Sequence, residues 1–369
     1  MRCAVFSKSP GLKKHPSPRQ TKDFYRAFPK VELHRHLEGS LRLSTLWEVA
    51  REHDMVIPTT GRLRSLVQVN EKEPYTFENF LSKFETLRLF YRSPEIIGRV
   101  TREAILDAAL DNVRYLELRF TPVALSKAQG YSLTEVTDWV IEGANTALPG
   151  NHMTVRLIAS VNRNESVTLA EKVAQLAVDR QAKGIVGLDL AGNEAQFSAL
   201  PFSGIFREAQ KAGLHITAHA GEWGGASNVS DVILGLKAER IGHGVRVMED
   251  AKVVDLAIEH RPVFEVCVTS NYQSGVVPAL SGHPMMRMLN SGLNVTLNTD
   301  DPSISQICLS DEYCVAVEEL GMSLPVLKER VLSAARAAFL PVEERQALIQ
   351  SLDEELSGIV EIQSAKVSS

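Results

Sequence analysis

The sequence predicts an α/β protein folded as a TIM (β/α)8 barrel. Two observations support this prediction: eight short apolar segments recur along the chain, and amphipathic helical segments separate them. Short segments rich in Val, Ile and Leu are typical of strands buried on both faces of a parallel sheet. Each parallel crossover needs a covering element, and eight strand–helix units of roughly 250 residues close into a barrel. The 369 residues of the chain accommodate such a barrel with additions.

The predicted strands are mostly bounded by Gly, Pro or Asn. They are Val31–His36, Val113–Phe120, Met153–Val161, Ile185–Leu190, Leu214–His219, Arg240–His243, Val263–Val268 and Leu293–Asn298. Helices are predicted between them, for example over Ser166–Gln181, Gly204–Ala212, Asp250–Glu259 and Pro284–Asn290. No composition break or Gly/Ser linker interrupts this series, so residues 23–369 are expected to form a single domain.

Two additions to the barrel are predicted. The interval between the first and second strands is too long for one helix, and its pattern predicts an inserted layer of three: Thr45–His53, Phe77–Tyr91 and Pro94–Asp111. Two closing helices, Leu324–Phe339 and Val342–Glu355, are predicted after the last strand. Because the insertion follows the carboxyl end of a strand, it can cover a site there and exclude water.

Residues 1–22 differ from the rest of the chain. They contain six Lys or Arg residues, three prolines and no acid, which predicts a disordered basic tail. A basic targeting segment is the alternative interpretation, although the prolines disfavour an amphipathic helix.

Whole-chain composition excludes several partners. A net charge of −5 gives no basic surface of the kind that nucleic-acid binding needs. No segment approaches the ~18 apolar residues of a membrane helix. The four cysteines form no C-x-x-C pair, so they are expected to be thiols in a reducing compartment. The sequence therefore predicts a cytoplasmic protein with no membrane or nucleic-acid partner.

Histidines and acids cluster at the predicted carboxyl ends of four strands, which is the catalytic face of a TIM barrel. They are His34 and His36 after the first strand, His219 and Glu222 after the fifth, His243 after the sixth, and Asp300 and Asp301 after the eighth. Residues two apart on a strand share a face, so the first two histidines can converge on one ion. The sequence predicts a common site.

The residue types in this cluster are those of a zinc site. Imidazole nitrogens and a carboxylate oxygen are common zinc ligands, and three His with one Asp leave a position for water, whose pKa zinc lowers to about 7. No G-x-S-x-G or H-E-x-x-H string occurs, which disfavours a serine hydrolase and a zincin protease.

Five strings in order carry a specific resemblance to a known family. VELHRHLEGSL, GLDLAGNE, TAHAGE, IGHG and LNTDDPS resemble the adenosine deaminase family of the amidohydrolase superfamily, from about Phe28 to Ala338. The resemblance implies one Zn²⁺ per chain, held by His34, His36, His219 and Asp300. It also implies a small-molecule purine nucleoside as the substrate.

The same resemblance implies roles for individual residues. Glu222 donates a proton to purine N1, and His243 orients the attacking water and takes its proton. Asp301 hydrogen-bonds N7, and the backbone N–H of Gly192 meets N3. His36 and Glu38 are also expected to contact substrate, with Glu38 near the ribose 5′ hydroxyl; many adenosine-specific members carry Asp there.

The predicted reaction is adenosine plus water to inosine plus ammonia. The alternatives are the same chemistry on adenine, aminofutalosine, a 5′-modified adenosine or N6-methyl-AMP, and a barrel that binds purine without turnover. The oligomeric state is left open.

Several residues receive only general expectations. No role is assigned to Thr269, Ser270 or Asn271, for which turn chemistry is expected. His53, His152, His260 and His283 are expected on the surface or at helix caps, and Trp223 either in the pocket or in the core. Four phenylalanines at nearly helical spacing are expected to pack in the core: Phe77, Phe80, Phe84 and Phe90.

Overall fold

A computed structural model describes residues 22–147 and 153–367 of the chain, with side chains up to residue 358. The predicted basic tail, residues 1–22, lies outside the described residues except for Lys22, which begins the first helix. His152 also lies outside them. The division into a tail and one domain over 23–369 therefore stays a prediction.

Eight parallel strands form one sheet in the order of the chain. They are β1 Lys30–His36, β2 Val113–Phe120, β3 Thr154–Asn162, β4 Ile185–Ala191, β5 His215–Ala220, β6 Arg240–His243, β7 Val263–Val266 and β8 Asn294–Leu297. A parallel bridge between Arg35 and Asp300 joins the two edges of the sheet. The sheet is thus a nearly closed barrel, and the predicted TIM barrel is confirmed.

Helices surround the barrel. Those before β3 are α1 Lys22–Ala27, α2 Leu43–Glu52, α3 Thr60–Val67, α4 Phe77–Leu87, α5 Pro94–Leu110, α6 Pro122–Lys127 and α7 Leu133–Asn145. Those from β3 to β8 are α8 Val167–Val178, α9 Ser203–Lys211, α10 Ala226–Asp231, α11 Ala251–His260, α12 Val268–Gln273 and α13 Met285–Asn290. Those after β8 are α14 Pro302–Ser305, α15 Leu309–Glu318, α16 Leu324–Ala337 and α17 Val342–Val367.

The inserted layer after β1 is confirmed, but it contains four helices rather than three. The missed helix, α3, has only eight residues, and the Thr59 side chain caps it by accepting from Arg62 N. The predicted helix over Phe77–Tyr91 is divided, because α4 ends at Leu87 and a 3₁₀ turn covers Arg88–Phe90. Both helices predicted at the C-terminus are present, and α17 runs to Val367.

The seventh strand is shorter than predicted. It ends at Val266, and α12 begins at Val268, where the prediction continued the strand. The buried carboxylate of Glu312 accepts hydrogen bonds from the backbone N–H groups of Val268 and Thr269, at 2.8 and 3.1 Å. The chain therefore turns into a helix at the carboxyl end of the barrel, which carries Ser270 and Asn271 toward the site.

The structure addresses two expectations, on membrane helices and on the cysteines. No helix among the described residues is both long and apolar enough to cross a bilayer. Cys267 and Cys308 are free thiols, whereas Cys314 is disulfide-bonded, which departs from the expectation of four thiols. The cytoplasmic location stays a prediction.

Candidate active site

The histidines and aspartates at the strand ends lie together at the carboxyl face of the barrel. His34 and His36 come from β1, His219 from β5 and His243 from the last position of β6, and Asp300 follows β8. His243 and Asp300 have φ values of 59° and 66°. This left-handed conformation is uncommon for residues other than glycine and is often found at functional sites.

Four of these side chains form a candidate metal centre. One ligand atom from each of His34, His36, His219 and Asp300 lies within 4.8 Å of the others. The Asp300 Oδ1 atom is 3.2 Å from both His34 Nε2 and His36 Nε2. His36 Nε2 is in turn 3.2 Å from His219 Nε2. Three imidazole nitrogens and one carboxylate oxygen therefore face a common point.

The donor set fits a divalent cation such as zinc. His34 Nε2 is buried and has no hydrogen-bond partner, although it faces the cluster. Two ring nitrogens that face each other at 3.2 Å, as those of His36 and His219 do, suit a shared cation better than two protons. Three His and one Asp match the ligand types that zinc prefers.

Buried carboxylates orient two of these histidines from behind. Glu265 Oε2 lies 2.7 Å from His34 Nδ1, and Asp189 Oδ1 lies 3.1 Å from His219 Nδ1. A carboxylate that accepts from the second ring nitrogen fixes the tautomer and directs the other nitrogen at the metal. The two contacts therefore present Nε2 of both rings to the cluster.

These carboxylates remain ionised because arginines accompany them in the barrel interior. Arg119 lies 2.8 Å from Glu265 and 3.5 Å from Asp189, and Arg240 Nε lies 2.6 Å from Glu265. Burial alone raises the pKa of Glu265, but the charges of Arg119 and Arg240 lower it well below its usual value. His219 and Arg119 likewise outweigh burial and lower the pKa of Asp189.

A further buried carboxylate, Glu194, fixes the loop after β5. It accepts hydrogen bonds from the backbone N–H groups of Gly221, Glu222 and Trp223 at 2.8, 2.6 and 2.7 Å, and from Asn228 Nδ2 at 3.2 Å. Three consecutive amides on one carboxylate leave the loop little freedom. The Glu222 side chain is thereby positioned in the cavity.

Glu222 and His243 face each other across this cavity. The distance from His243 Nε2 is 3.5 Å to Glu222 Oε2 and 3.8 Å to Asp300 Oδ2. Burial, followed by the charges of Asp300, Glu194 and Asp301, raises the pKa of Glu222 well above its usual value. Burial lowers the pKa of His243 well below its usual value. The two shifts thus favour the protonated carboxyl group of Glu222 and the neutral imidazole of His243.

Helix α12 supplies two site residues to which the sequence assigned no role. Ser270 Oγ donates to Asp300 Oδ2 at 2.7 Å. Asn271 Nδ2 lies 3.0 Å from His243 Nδ1, and Asn271 Oδ1 lies 3.3 Å from His283 Nε2. The expectation of turn chemistry was therefore too limited. His283 is buried beneath the site, where its Nδ1 also accepts from Met285 N, so it is a cap but not a surface residue.

Asp301 follows Asp300 in the chain but is not one of the four clustered ligands, and it lines the cavity instead. Its Oδ1 atom is buried and has no hydrogen-bond partner. Burial, together with the charges of Asp300 and Glu38, raises the pKa of Asp301 well above its usual value. Gly39 makes this position possible, because a Cβ atom there would lie 1.8 Å from Asp301 Oδ1.

All nine predicted site residues except His34 line one cavity, and His34 lies beneath it within the metal cluster. Gly192, with φ of 90°, presents its backbone there, and Glu38 lies at the end of β1. Helix α4 and its 3₁₀ turn contribute Phe80, Leu81, Phe84 and Arg88. Phe80 lies in the core and Phe84 packs against it, as expected, and both also line this cavity. Trp223 lines the cavity and packs edge-on against Phe77, with ring centroids 4.1 Å apart.

The chain is similar to proteins of one known family over most of its length. A family model described as Adenosine deaminase matches residues 29–355. An adenosine deaminase of Klebsiella pneumoniae subsp. pneumoniae is 36% identical over 327 residues, covering 88% of this chain and 97% of the relative. An adenosine deaminase of Erwinia tasmaniensis is 37% identical over 324 residues, covering 87% of this chain and 96% of the relative.

Solved structures share the fold. The N6-methyl-AMP deaminase of Arabidopsis thaliana, in its apo structure, has a TM-score of 0.80 at 29% identity, covering 90% of this chain and 98% of that one. The adenine deaminase of Arthrobacter aurescens also has a TM-score of 0.80, at 27% identity, covering 90% of this chain and 99% of that one.

Proposed function

Because the chain belongs to the adenosine deaminase family, whose members are hydrolases that deaminate purines, we propose that it converts adenosine and water to inosine and ammonia, with one zinc ion per chain. Membership of this hydrolase family argues against a barrel that only binds purine. The curated relatives at 36–37% identity favour adenosine among the 6-aminopurines.

One observation carries the proposal: a four-ligand cluster and a buried carboxyl group with a raised pKa open on the same cavity. Hydrolysis at C6 of a purine needs an activated water on one side and a proton for the ring nitrogen on the other. The two groups occur here within one buried pocket.

In this proposal His34, His36, His219 and Asp300 hold the metal. When bound, zinc lowers the pKa of water to about 7 and so provides a hydroxide near neutral pH. Glu265 and Asp189 keep two of the histidines oriented. Ser270 holds the second oxygen of Asp300, so that Oδ1 faces the cluster.

Glu222 is the proposed proton donor. Attack at C6 places negative charge on N1, and a protonated carboxyl group can neutralise that charge by donating its proton. The raised pKa of Glu222 favours the protonated carboxyl group that this role requires. Glu194 fixes the loop from which Glu222 projects.

The remaining roles concern water and the purine ring. His243, a neutral imidazole near pH 7, orients the attacking water and takes its proton. Asp301 faces purine N7 with its unpaired Oδ1, and Gly192 presents its N–H to N3. His36 lies at the junction of the metal cluster and the cavity, where it contacts both metal and substrate.

The test measures ammonia release from adenosine by purified protein, with zinc content determined on the same sample. Glu222→Gln should retain zinc and lose at least ~100-fold in kcat, because removal of a general acid typically costs 10²–10⁴-fold. Glu259→Gln, an exposed acid on α11, is the matched control. Full turnover by Glu222→Gln would contradict the assigned role. Activity that survives complete removal of zinc would contradict the metal assignment.

Two other candidate substrates come from the structural neighbours, which include enzymes named for N6-methyl-AMP and for adenine. A panel of adenosine, adenine, AMP, N6-methyl-AMP, aminofutalosine and 5′-substituted adenosines ranks them by kcat/KM. A larger value for any other member than for adenosine replaces the proposed substrate. The cytoplasmic location remains a prediction, which cell fractionation can check.

A further inference from the structure

Helix α12 supports the active site from behind. Ser270 Oγ donates to Asp300 Oδ2 at 2.7 Å. Asn271 Nδ2 lies 3.0 Å from His243 Nδ1. Asp300 belongs to the metal cluster, whereas His243 faces Glu222 across the cavity. Neither Ser270 nor Asn271 is among the residues that line this cavity. The helix therefore contacts a metal ligand and the proposed base without entering the place of the substrate.

The amino end of α12 is not held by the helix itself. The helix has six residues, Val268–Gln273, and the Cys267 side chain before it makes no cap hydrogen bond. The first backbone N–H groups of a helix have no partner within it, and so short a helix has little stability alone. The position of α12 therefore depends on contacts from other parts of the fold.

Glu312 of α15 provides such contacts. Its side chain is fully buried, its Oε2 accepts from Val268 N at 2.8 Å, and its Oε1 accepts from Thr269 N at 3.1 Å. Among the described residues, no Lys, Arg or His nitrogen lies within 4.0 Å of this carboxyl group. Buried glutamates are rare unless they are paired, and here both oxygens serve two amides. Those amides directly precede Ser270 and Asn271 in the chain, so Glu312 holds α12 next to its two site contacts.

We propose that Glu312 is a positioning residue, which holds α12 where its side chains meet the metal cluster and the proposed base. Through Ser270 it fixes the orientation of Asp300. Through Asn271 it fixes that of His243. The inference rests on the proposed function, since both of these residues take part in that reaction. Glu312 does not line the cavity, so its effect should fall on kcat and on zinc affinity and not on KM.

The kinetic test uses Glu312→Gln, which keeps the size of the side chain but only one acceptor oxygen, so one of the two amides loses its partner. With adenosine and saturating zinc, kcat should fall about tenfold while KM stays within about twofold, because a small displacement of a reacting group slows the chemical step. In a chelator titration, zinc binding should weaken about tenfold, since supporting contacts commonly contribute 10- to 100-fold to metal affinity. Unchanged kcat and zinc affinity would overturn the inference.

Hydrogen exchange measured by mass spectrometry reports on α12 without turnover. Buried, hydrogen-bonded amides exchange slowly, so those of Val268 and Thr269 should be protected in the unmodified, zinc-loaded protein. Glu312→Gln should speed their exchange about tenfold, because one amide loses its acceptor. Exchange of both amides at the rate of an exposed loop in the unmodified protein would overturn the inference, and this result needs no folded variant.

The matched control is Asp311→Asn, which changes the preceding buried acid of the same helix. Asp311 faces away from α12: its carboxylate lies 2.7 Å from Lys22 Nζ and accepts from Cys308 N at 2.9 Å. The control should lower the free energy of unfolding in urea but leave kcat, zinc affinity and the exchange of α12 unchanged. An equal loss of kcat and zinc affinity in both variants would overturn the inference, because Glu312 would then act only through overall stability.

Double variants test whether the effect passes through α12. Glu312→Gln should lower kcat by less than about twofold in an Asn271→Ala background, and should barely change zinc affinity in a Ser270→Ala background, because residues on one path are not additive. Full tenfold effects in these backgrounds would overturn the inference. Absence of ammonia release from every purine would instead overturn the proposed function. In that case zinc affinity and hydrogen exchange still decide the role of Glu312, and unchanged values in Glu312→Gln overturn it.

Discussion

Replacing Glu194 by Gln tests how the active-site loop is held. The carboxylate accepts four hydrogen bonds, from three consecutive backbone amides, at residues 221–223, and from Asn228. A glutamine amide keeps one oxygen, so two of the four donors lose their acceptor. At about 1.5–3 kcal/mol for each bond to a charged group, the loop loses up to roughly 3–6 kcal/mol of local restraint.

Part of that loss is recovered because the loop can relax toward water. We expect about 3 kcal/mol to appear in the barrier of the reaction, which corresponds to a ~100-fold lower kcat. Zinc content should remain unchanged, because Glu194 touches none of the metal cluster in the described contacts. The assay is ammonia release with zinc measured on the same sample.

The pH profile distinguishes positioning from a general loss of stability. Because the charge of Glu194 helps to raise the pKa of Glu222, its removal lowers that pKa. As the proposed proton donor, Glu222 acts only while protonated. The alkaline limb of the pH–activity profile should therefore lie at lower pH in Glu194→Gln than in the unmodified protein. Glu171→Gln, at an exposed position of α8, is the matched control. Unchanged kcat and an unchanged alkaline limb in Glu194→Gln would refute the reasoning.

Three further predictions follow from individual contacts. Gly39→Ala should raise KM about tenfold or more, because its Cβ would displace the Asp301 carboxyl group, whereas Gly204→Ala, in open space, should not. Ser270→Ala should weaken zinc binding about 10- to 100-fold in a chelator titration, since its hydroxyl donates to the aspartate of the metal cluster; unchanged affinity would contradict this. Burial lowers the pKa of His283 to about 3, so as pH falls from about 6.5 toward that value the unfolded chain takes up a proton there that the folded protein does not, and stability is lost. Between pH 7 and pH 5, the free energy of unfolding from urea titrations should fall by about 2 kcal/mol less in His283→Gln than in the unmodified protein. An equal fall in both proteins would contradict this prediction.

The barrel was predictable because its strands are apolar and regularly spaced. β2 and β6 have the bounds that the sequence predicted. Helix α3 was missed because it is short and contains few apolar residues, so its periodicity is weak. β7 was extended too far because the sequence alone does not show that Glu312, 44 residues beyond Val268, binds the amides at the strand end.

The candidate metal ligands were predictable from the sequence, but the residues that orient and surround them were not. His34, His36, His219 and Asp300 stand at strand ends, and parallel strands bring those ends together. Glu265 had one available signal, a charged residue within an apolar strand, which is rarely buried unless paired. Arg88 had none, because its place in the cavity depends on the turn that ends α4.

Adjacent residues at the end of β8 show what the sequence alone leaves undetermined. Asp300 and Asp301 are chemically identical, yet the pKa of the first is lowered and that of the second is raised well above its usual value. Burial raises both, but Asp300 faces His243 and His34, whereas Asp301 faces the charge of Asp300 and of Glu38. The left-handed backbone at Asp300, with φ of 66°, accompanies this divergence of two neighbouring side chains. The cavity is therefore divided into an ionised half beside the metal cluster and a half with raised pKa values at Glu222 and Asp301. In the proposed mechanism, this division lets one pocket hold a cation at Asp300 and supply a proton from Glu222.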